Sequence, residues 1–139
     1  MLTFDHVHLI SADPRRSAAW YAEILGGRIL SEIEMLGALQ VYVAVAGGLV
    51  ILRGVRPGDA PGQASSRGTV DHFALRVGTH FEAFCRSLAA KGVRFSMPPQ
   101  SINPTTSAAF IEAPDGLRIE LIHRTDWPDL REFGLTSDG

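Results

Sequence analysis

The chain has 139 residues, 45% of them hydrophobic and 20% charged, which is the composition of one soluble globular domain. A net charge of −2 and the lack of any basic run give no reason to expect a nucleic acid or a membrane as a partner. No apolar run approaches the roughly 20 residues that span a bilayer, and Met1–Asp5 does not resemble a signal peptide. We therefore expect a cytoplasmic protein, in which the single Cys85 cannot form an internal disulfide or a thiolate zinc cluster.

The first part of the chain, residues 1–56, has the pattern of a β-α-β-β-β module. After a strand over residues 4–10, Asp13 and Pro14 are an N-cap and a first-turn proline, which together predict the start of a helix. The helix is predicted to end where Gly26 and Gly27 follow, because glycine readily takes the left-handed angles of a helix end. Three further strands are predicted, over residues 28–34, 39–46 and 48–53.

A stretch rich in proline, glycine and serine, residues 57–68, is predicted to link this module to a second one, residues 69–125. The second module repeats the order of the first. Its predicted elements are a strand over 69–77, a helix ending at Gly92, and strands over 93–96, 107–113 and 117–123.

Three local patterns complete the prediction for this half. Thr79 and Glu82 match a capping box, so we expect the helix to begin directly after Thr79. Pro98-Pro99 is predicted to lie in a stiff loop. A tail over residues 126–139 follows the module, with a short helix predicted over residues 127–133.

The opening strands of the two modules are near copies of each other. Asp5-His6-Val7-His8-Leu9 returns 66 residues later as Asp71-His72-Phe73-Ala74-Leu75. A repeat of this length indicates two similar modules within one domain, residues 1–139. We therefore predict an α+β fold in which two βαβββ modules form a curved mixed sheet with a cup-shaped face.

Alternation along the strands separates two faces of this predicted sheet. The odd-numbered residues are apolar in the first strand of each module and in the last strand of the second, namely Val7, Leu9, Phe73, Leu75, Val77, Leu117, Ile119 and Leu121. We expect that face to pack against the helices. The even-numbered residues include His6, His72 and Glu120, so ionisable groups are predicted to line the cup.

Two imidazoles and a carboxylate are the ligands of the facial triad, a metal site that leaves coordination positions open. A single histidine on a strand is usually structural, so His6 alone would carry little weight. Its recurrence as His72, with Glu120 on the same face, favours a metal site instead. His6, His72 and Glu120 are therefore the predicted metal ligands.

The sequence resembles the vicinal oxygen chelate superfamily, which includes glyoxalases, methylmalonyl-CoA epimerase, extradiol dioxygenases and bleomycin-resistance proteins. The matching pieces are Asp5-His6-Val7-His8-Leu9, Trp20-Tyr21-Ala22-Glu23-Ile24-Leu25-Gly26, Asp71-His72-Phe73-Ala74-Leu75-Arg76-Val77 and Ala113-Pro114-Asp115-Gly116-Leu117-Arg118-Ile119-Glu120-Leu121. The resemblance implies a glyoxalase-like cup around one divalent metal ion that chelates adjacent oxygens of a substrate. Its implied ligand positions match His6, His72 and Glu120. It also implies a homodimer, with modules paired within one chain or exchanged between two.

The sequence departs from the glyoxalase and epimerase members at one position. Those members take a further Glu or Gln ligand from the last strand of the first module, and our alignment places Leu52 there. Leucine cannot bind a metal ion, and neither neighbour, Val50 or Ile51, offers a donor. The remaining triad is more similar to the Fe(II) dioxygenase branch.

Other polar residues are candidates for proton transfer and substrate binding. His8 could be a general acid or base, a partner of the ligands, or part of the cup wall. Tyr42 and Arg76 could orient an anionic substrate, or each could pair within the protein. We predict His8 and Tyr42 as catalytic and Arg76 as substrate-binding. His123 is predicted to be structural.

Three functions follow from these patterns. The favoured one is an enzyme that uses Fe(II) to bind two neighbouring oxygens of a small metabolite, with a dioxygenase-like reaction. The alternative is a glyoxalase- or epimerase-like lyase or isomerase that uses Ni, Co, Mn or Zn. The third is a metal-free drug-binding protein like the bleomycin-resistance members, which generally lack the triad.

Overall fold

The computed structural model describes residues 6–57 and 72–126, in which two α-helices and eight strands form. The chain divides into two compact units, residues 1–70 and 71–139, each containing one βαβββ module. The predicted α+β class and the order of elements are therefore confirmed. Nearly all of the predicted linker and tail, including the helix over residues 127–133, lies outside the described residues.

The first unit contains a four-stranded mixed sheet, which we call sheet 1. Its strands are β1 (Val7–Ser11), β2 (Arg28–Met35), β3 (Ala38–Val45) and β4 (Gly48–Gly54), in the order β1-β4-β3-β2. β1 is parallel to β4, and the other neighbours are antiparallel. Helix α1 (Pro14–Leu25) makes the connection from β1 to β2.

Helix α1 begins and ends as predicted. The Asp13 Oδ1 atom accepts a hydrogen bond of 3.2 Å from the backbone N–H of Arg16, and Gly26 has a φ of 69° at the C-terminus. The helix packs on sheet 1, where Tyr21, Val41 and Val43 are almost completely buried. This burial orients β1 so that its even-numbered residues face away from the helix.

The second unit contains a matching sheet, which we call sheet 2. Its strands are β5 (Phe73–Arg76), β6 (Phe95–Asn103), β7 (Thr106–Glu112) and β8 (Arg118–Arg124), in the order β5-β8-β7-β6. β5 is parallel to β8, and the other neighbours are antiparallel. Helix α2 (Phe81–Ala90) buries Phe81, Cys85 and Leu88.

Two predictions for the second unit were wrong. Helix α2 has His80 as its N-cap, with a φ of 56° and no side-chain cap. Thr79 therefore lies outside the helix, and Glu82 is at the second helical position instead of the third position that a capping box requires. The loop predicted at Pro98-Pro99 is part of β6. Proline is tolerated there because β6 is an edge strand whose pairing register slips between Met97 and Gln100.

Neither helix within residues 6–57 and 72–126 is long and apolar enough to cross a membrane.

We predict that Gly27→Ala destabilises the protein by about 1–3 kcal/mol, because the added methyl group overpacks a closed site. A Cβ atom at Gly27 would lie 3.0 Å from both the Tyr21 carbonyl oxygen and Val43 Cγ1. Urea unfolding measures the change. Gly48→Ala is the control, since its Cβ would meet only the Val45 carbonyl oxygen, at 3.8 Å. Equal stability of the two variants would contradict the packing described for α1.

A second prediction concerns the thiol of Cys85, which is 2% exposed. Burial raises its pKa, and the charge of Glu82 raises it further. The native thiol should therefore react with iodoacetamide about tenfold or more slowly at pH 8 than the urea-unfolded thiol. Its rate should keep rising with pH beyond the ordinary thiol pKa. A native rate that levels off at that ordinary pKa would show that Cys85 is accessible.

Candidate functional site

The strand register places two polar rows on the face of sheet 1 that carries His8. In the first row His8 lies beside Ile51, which lies beside Tyr42. In the second row Arg53 lies between Ile10 and Gln40. Cross-strand partners point to the same side of a sheet, so these residues share one surface, which we call the His8 face.

Hydrogen bonds fix the polar groups of the His8 face. The Tyr42 hydroxyl donates to Gln40 Oε1 at 3.3 Å. Arg53 Nη1 donates to the carbonyl oxygen of Gly54 at 3.0 Å, and Arg56 Nη2 donates to that of Met35, also at 3.0 Å. Gln40 and Arg53 are buried, which makes them fixed parts of this surface.

The environment of His8 favours its neutral form. Partial burial lowers the pKa of His8, and the positive charges of Arg53, His6 and Arg56 lower it further. The His6 and His8 rings are in edge contact, with centroids 5.7 Å apart. A neutral imidazole at this position can accept a proton, which suits the predicted catalytic role.

Sheet 2 brings together two of the three predicted metal ligands. His72 Nε2 lies 3.1 Å from Glu120 Oε2, and the two side chains are 31% and 19% exposed. Phe110 lies beside Glu120 in the register, and its ring meets the His72 ring at right angles, with centroids 5.0 Å apart. The Arg118 guanidinium covers the Phe110 ring, with Cζ 5.0 Å from the centroid.

His72 and Glu120 fit a divalent metal ion by chemistry and by spacing. An imidazole nitrogen and a carboxylate oxygen each bind such an ion at about 2.1 Å, so two adjacent ligands lie about 3 Å apart. The observed 3.1 Å suits that arrangement and also suits a direct hydrogen bond. The pair can therefore hold a metal ion with little movement of either side chain.

The two sheets can be matched through their registers. Ile51 lies between His8 and Tyr42 in sheet 1, just as Glu120 lies between Ala74 and Phe110 in sheet 2. The counterpart of Glu120 is thus Ile51, and the prediction of Leu52 was wrong by one residue. The turn before β4 comprises Ala46 and Gly47, whereas the turn before β8 comprises residues 113–117, so the sequence spacing differs between the units. Isoleucine offers no donor either.

The predicted site residues are divided between the two units. The first unit contains His6, His8 and Tyr42, and the second contains His72, Glu120 and Arg76. Because the three predicted metal ligands come from both units, the complete triad stays a prediction. Within residues 6–57 and 72–126, no group of three or more His, Cys, Asp or Glu side chains is arranged so that it could hold a metal ion.

Other residues resolve the remaining sequence predictions. His123 has a structural environment, because its ring stacks on Phe81 and Nδ1 lies 2.9 Å from the Val77 carbonyl oxygen. Arg53 was missed as a site residue. The sequence signal that could have found it is a single cation at the end of the apolar run Leu49-Val50-Ile51-Leu52.

A family model for the glyoxalase/bleomycin resistance protein/dioxygenase superfamily matches residues 3–121. The chain belongs to this superfamily. No curated protein is similar enough in sequence to match it.

Solved structures share the fold at low sequence identity. A glyoxylase/bleomycin resistance protein/dioxygenase domain from Frankia sp. EAN1pec is 23% identical with a TM-score of 0.75, and 92% of this chain and 96% of that one are covered. The antibiotic-binding protein TnmS3 from Streptomyces sp. CB03234 is 21% identical with a TM-score of 0.68, covering 90% and 98%. The fosfomycin resistance protein FosX from Listeria monocytogenes, in complex with Mn(II) and sulfate, is 15% identical with a TM-score of 0.64, covering 91% and 95%.

Proposed function

We propose that this chain is a metal-dependent enzyme that binds one divalent ion through His6, His72 and Glu120 and acts on a small oxygenated metabolite. The observation that carries the proposal is the 3.1 Å approach of His72 Nε2 to Glu120 Oε2. The superfamily match supports it, as does the Mn(II) in the FosX complex. His6 is the proposed third ligand because it has the same position in the sequence repeat of the first unit as His72 has in that of the second.

We further propose Fe(II) as the metal and a dioxygenase-like reaction, with Ni, Co, Mn or Zn as alternatives. Ile51 at the position that corresponds to Glu120 provides no fourth protein ligand. A triad leaves positions open for substrate oxygens and for O2. When bound, the metal supplies Lewis acidity and a template for two neighbouring oxygens. A glyoxalase- or epimerase-like reaction is disfavoured, because those members use a fourth ligand.

The chain's own polar groups would orient the substrate and move protons. His8 is kept neutral by the charges around it and can accept a proton. The Tyr42 hydroxyl already donates to Gln40 and can exchange that partner for a substrate oxygen. Arg76, beside Ile122 in sheet 2, is one candidate binding group for an anionic substrate.

A second candidate function is binding of a drug-like molecule without chemistry. The similarity to TnmS3 favours it, since TnmS3 is an antibiotic-binding protein. The His72–Glu120 pair distinguishes the candidates, because a binding protein has no need of two converging metal donors.

We also propose that the protein is a cytoplasmic homodimer. Superfamily members pair their modules within one chain or between two chains, and both arrangements usually dimerise. Sedimentation of the full chain tests the dimer.

We predict that Glu120→Gln weakens Fe(II) and Mn(II) binding at least about tenfold, because an amide oxygen lacks the charge of a carboxylate. Anaerobic metal titration followed by elemental analysis measures this. Glu82→Gln is the matched control, since its side chain is 83% exposed on helix α2. A urea unfolding curve confirms that both variants fold.

Unchanged metal content in Glu120→Gln would exclude Glu120 as a ligand. The metal that the wild-type protein retains separates the reaction classes. About one iron per chain supports the dioxygenase, whereas nickel or zinc favours the lyase or isomerase. A chain that binds no divalent metal, even after reconstitution, supports the drug-binding function.

A further inference from the structure

The matched faces of the two sheets carry opposite chemistry. Sheet 2 has Glu120 where sheet 1 has Ile51, so the carboxylate is found on one side only. Sheet 2 also carries Arg76 where sheet 1 has Ile10. At three other positions sheet 1 carries polar or basic groups where sheet 2 is apolar. These pairs are His8 with Ala74, Arg53 with Ile122, and Gln40 with Ala108.

One of these differing residues, Arg53, is held in a fixed position in sheet 1. It lies between Ile10 and Gln40 in the register and is only 9% exposed. Its Nη1–H···O contact with Gly54 fixes the plane of the guanidinium. Arg56 is fixed in the same way on Met35. Both arginines lie near enough for their positive charge to reach His8.

Fixed guanidinium groups beside neutral donors are suited to a planar or tetrahedral anion. A guanidinium binds a carboxylate or phosphate through paired N–H donors, and less entropy is lost when the fork is already oriented. The Gln40 side-chain oxygen accepts a hydrogen bond from the Tyr42 hydroxyl. The NH2 group of Gln40 points in another direction and can donate a hydrogen bond to a ligand.

We propose that the His8 face binds the anionic group of the substrate, a carboxylate or a phosphate, through Arg53 and Arg56 with Gln40 as an added donor. This proposal rests on the proposed enzyme function and names the substrate class. This proposal places anion binding in the first unit, whereas the sequence predicted it for Arg76 of the second unit.

The strand geometry sets where the anion lies along the substrate. Ile10, beside Arg53, is four residues along the strand from His6. At about 3.3 Å per residue, the two positions are roughly 13 Å apart. This spacing separates the backbone positions, and the proposed anion site lies on the same face of the strand as His6 and His8.

The test uses inorganic phosphate and, separately, benzoate, titrated into the full chain after removal of metal. Amide signals in heteronuclear NMR spectra report where each anion binds. We expect saturable shifts around residues 8–10, 40–42 and 51–54, with at least one of the two anions. Arg53→Gln and Arg56→Gln should each weaken binding about tenfold. Arg94→Gln, at an exposed position of the second unit, should leave it unchanged.

Comparison of anion binding among the variants distinguishes the possible outcomes. Arg56→Gln is decisive if replacement of the buried Arg53 prevents folding. Binding that is lost in Arg76→Gln but retained in Arg56→Gln would overturn the proposal. So would shifts that are no larger than those produced by chloride at equal ionic strength. Since metal is absent throughout, a failure of the metal site leaves this result unaffected, and the two proposals can fail independently.

Discussion

The parallel pairing of the first strand with the last strand in each unit determines which side chains meet. β1 with β4, and β5 with β8, are adjacent in space although most of the module separates them in sequence. A parallel pair needs a long connection, which here comprises a helix and a β-hairpin. Because cross-strand partners share a face, this pairing fixes His8 beside Ile51 and Ala74 beside Glu120. A shift of one residue would move each of these side chains to the helix side of its sheet.

The same constraint explains how two similar modules carry different chemistry. In the second unit the register supports a compact pair of metal donors, His72 and Glu120, with the Phe110 ring against the histidine. In the first unit Ile51 takes the place of Glu120, and His8, Arg53 and Gln40 lie on the same face of the sheet. Arg53 is hydrogen-bonded to the backbone of Gly54 and Gln40 to the Tyr42 hydroxyl, so these two side chains are held in place before any ligand arrives, which lowers the entropy lost on binding.

Much of this architecture was predictable from local sequence patterns, because caps and alternation act within a few residues. Asp13 and Gly26 define the ends of α1, and the two-residue alternation places Val7 and Leu9 on the helix side. Caps and alternation of this kind are decided by neighbours in the chain. Parity also predicted that His72 and Glu120 share a face, but their 3.1 Å approach depends on the pairing of β5 with β8.

The wrong predictions concern features that only the sheet determines. Pro98-Pro99 was taken for a loop because proline lacks an N–H, but an edge strand needs fewer donors. Leu52 was matched to Glu120 because Gly48 and Gly116 look equivalent in the sequence, whereas Gly48 already pairs in β4 and Gly116 lies in the turn before β8. Arg53 was not predicted to line the site, since nothing in the sequence shows that it shares a row with Gln40. The full triad depends on both units and stays a prediction.

We propose that one histidine from each module binds the same metal ion. Electron spin-echo spectroscopy of the Mn(II)-loaded chain counts the coordinated imidazole nitrogens directly. We expect two in the wild-type protein and one in each of the variants His6→Ala and His72→Ala. A single nitrogen in the wild-type protein, unchanged in His6→Ala, would show that the first unit contributes no metal ligand and that the proposed triad is wrong.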